Sequence, residues 1–98
     1  MKTKNLAKEI REAIKELDLE IVSEYEKPCS FDKDLMIYYI EFNYESDTFT
    51  LSASKNGYCL SNNKEPLKNS FTYSINAMKT IIILEISDIR ERTARRYS

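Results

Sequence analysis

Two pairs of carboxylates and two thiols are the groups in this chain whose type and spacing suggest chemistry: Asp32 with Asp34, Glu45 with Asp47, and Cys29 and Cys59. Asp32 and Asp34 have the first spacing of a calcium loop. The glycine and the later bidentate glutamate that complete such a loop are missing. Both carboxylate pairs fall in predicted turns, where acidic residues are ordinary turn chemistry and remain solvated. Neither cysteine has a base to activate it, because the chain contains no histidine. That absence removes the usual partner of a nucleophilic Ser or Cys and the commonest transition-metal ligand. With a single glycine there is also no glycine-rich phosphate loop. The expectation is a non-enzymatic protein with no cofactor and no metal.

The length and composition fit that reading. At 98 residues, 32% charged and 42% apolar with one glycine and two prolines, the chain predicts one domain spanning 1–98, rich in regular structure. The longest apolar run, Leu35 to Ile40, is far short of a membrane span. Met1-Lys2-Thr3-Lys4 leads into an amphipathic pattern in place of a secretory apolar region, so a cytoplasmic location and reduced thiols are expected. The sequence leaves a Cys29–Cys59 disulfide open.

Net charge is −1, but it is segregated: residues 18–50 carry nine acidic and two basic groups, while residues 1–17 and 90–98 are both net basic. The acidic middle offers Glu20, Glu24, Glu26, Glu41, Glu45 and Asp47 as a surface for a basic protein partner. The basic ends offer Arg90, Arg92, Arg95 and Arg96, with Lys4, Lys8, Arg11 and Lys15, as a nucleic-acid surface. A pI near 5.5 places the nucleic-acid reading second.

The elements that would position these groups follow from periodicity. Leu6, Ile10, Ala13, Ile14 and Leu17 form one helical stripe and predict a helix over 5–17, capped by Thr3 or Asn5 and ended by Asp18. Residues 19–25 alternate as a first strand with Leu19, Ile21 and Tyr25 inward and Glu20, Glu24 and Glu26 outward. Residues 35–44 form the second strand, with Met36, Tyr38, Ile40, Phe42 and Tyr44 on the core face. Residues 48–54 alternate between apolar and hydroxyl side chains, as a strand with one wet face does. Asn56-Gly57 reads as the centre of a two-residue turn into a short fourth strand at 58–60. Residues 61–66 read as loop, with Pro66 in the first turn of a following helical segment.

From Phe71 to Ile89 two patterns compete. Phe71, Ile75, Met78, Ile82, Ile86 and Ile89 fall in one helical stripe, whereas the β-branched run 80–86 allows residues 71–87 to be a further hairpin. The periodicity favours a helix, which residues 90–98 continue or restart. A second stripe, Tyr73, Ala77, Ile81 and Leu84, then needs cover, and a homodimer is one way to supply it.

The predicted architecture is therefore α+β in two layers: an N-terminal helix, a four-stranded antiparallel sheet and a long C-terminal helix, both helices on one sheet face. Double-stranded RNA-binding domains share that element order, but their basic signature at the start of the last helix is absent here. The expected function is occupation of another protein by an inhibitor or regulator of the antitoxin, immunity or phage anti-defence kind. Binding of nucleic acid through the C-terminal arginines is the alternative.

Overall fold

The computed structural model describes the backbone of residues 3–97 and the side chains of residues 6–65 and 69–95. The order is α1 (Thr3–Glu16), β1 (Glu20–Pro28), β2 (Met36–Tyr44), β3 (Asp47–Ser54), β4 (Gly57–Asn62), β5 (Glu65–Thr72) and α2 (Ile75–Tyr97). The strands form an antiparallel meander in chain order, β1-β2-β3-β4-β5. An N-terminal helix, an antiparallel sheet and a C-terminal helix make this an α+β fold, as the sequence predicts, with five strands in place of four.

The apolar stripe of α1 is buried as its spacing requires: Leu6, Ile10, Ala13 and Ile14 are all under 4% exposed. The helix ends in paired C-terminal bonds, Asp18 N–H to the Lys15 carbonyl at 3.0 Å and Leu19 N–H to the Ile14 carbonyl at 3.3 Å. Asp18 sits in the left-handed region at φ 59°, the conformation that such a stop demands. The proposed Thr3 or Asn5 cap lies outside the described side chains.

Across the sheet, Tyr38, Ile40, Phe42, Phe49, Leu51, Ala53, Tyr58 and Leu60 point to the same side and meet α1 and the α2 residues Met78, Ile82, Ile86 and Ile89 in one core. Phe42 and Phe49 are fully buried and stack at 5.2 Å.

Several expectations are corrected. Residues 65–72, read as loop and helix start, form β5. Pro66 lacks an amide hydrogen and is admissible because β5 is an edge strand, and its pairing with β4 breaks between Ser61 and Asn62. The hairpin alternative for 71–87 fails, since α2 begins at Ile75 and runs unbroken to Tyr97. Ser74 starts it, with its hydroxyl accepting from Ala77 N–H at 3.4 Å and its carbonyl from Met78 N–H at 3.0 Å, so Phe71 and Tyr73 precede the helix.

In β1, a bulge between Ile21 and Ser23 exchanges the faces of every later residue. Ile21 stays on the core side opposite Phe42. Tyr25 turns to the other side opposite Tyr39, and Glu24 and Glu26 turn onto the helix side opposite Ile40 and Tyr38. The β3–β4 turn also lies one residue early: Ser54 pairs with Gly57, so Lys55-Asn56 forms its centre and Gly57 opens β4.

Candidate functional site

The acidic residues singled out from the sequence do not form one surface. Glu20 and Glu41 lie on the sheet face away from the helices, and Glu45 occupies the β2–β3 turn at φ 55°. Glu24 and Glu26 lie on the opposite face. Asp47 is only 6% exposed and is enclosed by Lys64 at 2.7 Å and the Asn62 amide at 2.8 Å.

Glu24 is tied into a network that joins α1 to the sheet. Arg11 Nε donates to its carboxylate at 2.8 Å, Arg11 also donates to the Tyr38 hydroxyl at 3.2 Å, and Tyr38 donates to Glu24. Burial pushes Asp47 and Glu24 upward, but the hydrogen bonds they accept outweigh it and hold both below their ordinary values of 3.8 and 4.5. A carboxylate depressed by folding adds stability that is fully present above its unfolded pKa and lost as pH falls through the folded one. Acid titration is therefore expected to lower the melting temperature from about pH 4.5 downward. The Asp47→Asn, Glu24→Gln double variant should show a shallower decline, checked by thermal melts from pH 7 to 2.

The basic set is also dispersed. Lys8 and Lys15 are exposed on α1, whereas Arg11 is committed to Glu24. On α2, Arg90 Nε donates to the Tyr44 hydroxyl at 2.6 Å and Arg92 pairs with Asp88 at 3.4 Å, with Arg95 exposed beyond them. The side chains of Lys4 and Arg96 lie outside the described residues. A hollow beside the β2–β3 turn gathers Lys64 and Arg92, but both cations already have carboxylate partners.

Of the suggested self-association stripe, Tyr73 is 83% and Leu84 63% exposed, while Ile81 packs against the core and Ala77 is half-buried. Tyr73 stands before α2, so the four residues do not share a helix face.

Among the described residues no cluster of Asp, Glu or Cys has the geometry of a metal site. Asp32 instead accepts from the Asp34 N–H at 3.1 Å, ordinary turn chemistry. Cys29 and Cys59 are both free thiols, and burial pushes the Cys59 thiol up, the opposite of activation.

What remains is the sheet face that no helix covers. The strand pairings place Ser23, Tyr25 and Lys27 of β1 beside Glu41, Tyr39 and Ile37 of β2. Beyond them lie Thr48, Thr50, Ser52 and Ser54 of β3, then Cys59 and Ser61 of β4, then Asn69 and Phe71 of β5. None of these residues is buried. At the β1–β2 end the Tyr25 and Tyr39 rings stack at 5.1 Å and 17°, with Lys27 Nζ 5.2 Å from the Tyr25 ring centre. At the other end Phe71 is 55% exposed and meets Tyr73 edge-on. Hydroxyls fill the middle; Ser23 donates to Glu41 at 2.5 Å and Thr48 to Asn43 at 2.8 Å.

Sequence reasoning found the wet hydroxyl face of β3 and the side of β2 that carries Tyr39 and Glu41 away from the core, but missed Tyr25, Lys27 and Phe71 as residues of the same face, because the β1 bulge and the identity of β5 were not visible in the pattern. The face is thus polar at its centre, with the half-buried Tyr25–Tyr39 stack at one end and the exposed Phe71 at the other, a combination that suits recognition. No protein-family model, curated protein or solved structure matches this chain.

Proposed function

We propose that the chain is a small non-enzymatic interaction protein that occupies another protein with the uncovered face of its sheet. It would act as an inhibitor or regulator of the antitoxin, immunity or phage anti-defence kind. The observation that carries this reading is that one face of a five-stranded sheet has no buried residue among those described, with the Tyr25–Tyr39 stack at one end and the exposed Phe71 at the other.

A sheet is a preorganised platform: its backbone groups are already paired, so binding costs little ordering beyond side chains. Tyrosine is enriched at interface centres because it adds large contact area and a hydroxyl while freezing few torsions. Among the described residues of the face, Glu20 and Glu41 are negative and Lys27 is positive, which favours a partner with a basic surface. This is the acidic-surface reading, narrowed to the residues that share the open face.

Ser52 sits in the middle of that face, between Tyr39 and Cys59 in the strand register. Ser52→Arg is expected to abolish capture of the partner from nuclease-treated host lysate, while Ser87→Arg on the exposed side of α2 leaves it intact. Equal capture by both variants, or capture that disappears with nuclease, would sink the proposal.

A further inference from the structure

Resting on that reading, we infer that the Tyr25–Tyr39–Glu41 corner of the open face is a subsite for an arginine side chain of the protein partner, and that Lys27 is the internal cation this arginine displaces. Tyr25 and Tyr39 pair directly across β1 and β2, and Ser23 pairs with Glu41 one step along. The stacked rings and the carboxylate therefore share one face within diagonal reach of each other. Lys27 Nζ stands 5.2 Å from the Tyr25 ring centre, so this ring face already accommodates a cation. Ser23 engages only Oε1 of Glu41, leaving Oε2 to accept from a visitor.

The combination selects guanidinium. A planar guanidinium lies flat on an aromatic ring and directs two N–H groups edgewise into a carboxylate, whereas an ammonium is a strongly hydrated point charge that cannot do both. The internal lysine satisfies the ring but is on the same strand as Tyr25, two residues away. It holds the site in a cation-compatible state without filling the carboxylate.

The test is titration of the intact protein with hexa-arginine, hexalysine and hexacitrulline peptides, followed by amide chemical shifts. The expected result is perturbation centred on Tyr25, Tyr39 and Glu41, stronger for hexa-arginine than for hexalysine and absent for hexacitrulline. Glu41→Gln should weaken hexa-arginine about tenfold. Lys27→Met should tighten it by about threefold, because the competing cation is gone. An anion-binding surface would respond to Lys27→Met in the opposite sense.

Perturbations centred on the helices, equal responses to arginine and citrulline, weaker binding by Lys27→Met, or a deoxythymidine oligonucleotide shifting the same three amides would each overturn the assignment. A flat hexa-arginine titration alongside a partner that Ser52→Arg excludes would overturn arginine recognition and leave the open-face reading standing.

Discussion

Phe42→Ala is expected to destabilise the protein by about 3–5 kcal/mol, the range for deleting a fully buried aromatic ring. Phe42 has 0% exposure and stacks on Phe49, which is 1% exposed. The two residues are direct partners across the antiparallel strands β2 and β3, on the face the helices cover, so neither solvent nor a flexible loop can collapse into the space left behind. Marginal stabilities run to roughly 5–15 kcal/mol, so the variant would lose a large share of the total. Chemical denaturation should show a lower midpoint with an unchanged slope. A loss under about 1 kcal/mol would mean that the rings are not packed as described.

Gly57→Ala is the second large effect, expected at about 3 kcal/mol from a single added methyl. Gly57 has φ 134°, outside the range that L side chains adopt, and a Cβ there would stand 2.8 Å from Phe71 Cζ and 2.9 Å from the Thr72 carbonyl oxygen. The ring of Phe71 can swing away from the open face, but the backbone carbonyl of β5 cannot yield without breaking strand pairing. Phe71→Ala should relieve part of the clash, so the double variant is expected to lose less than the sum of the two single losses. Strict additivity in melts of the four proteins would show that the strain lies in φ and the Thr72 carbonyl, with no share from the Phe71 ring.

The legible parts of this fold were those with long, regular periods. The α1 stripe, the β2 core face and the hydroxyl alternation of β3 each announce both an element and its buried side, because tertiary packing follows the same period that the sequence carries. Two features broke that link. The bulge after Ile21 inserts one residue into a period of two, so everything after it changes face: strict alternation puts Tyr25 on the core side and Glu24 on the other, and the pairings with Tyr39 and Ile40 reverse both.

The second feature is β5, an edge strand without alternation that contains a proline, so propensity and pattern both argue against it. Phe71 also happens to lie in phase with the α2 stripe, which extended the predicted helix backward past its Ser74 start. The open face was half legible for the same reasons. Its hydroxyl centre and Tyr39 came from the regular strands β3 and β2, and Tyr25 and Phe71 came from the two irregular ones.

The two cysteines allow the most direct test of the open-face account without any substitution. Cys59 lies in the middle of the face, paired with Ser52 on one side and Phe71 on the other, while Cys29 stands in the β1–β2 connection. Alkylation rates of both thiols are to be compared for the free protein and for its complex with the captured partner. Strong protection of Cys59 with an unchanged rate at Cys29 is the expected result. A Cys59 that reacts equally fast in the complex and in the free protein would contradict the account.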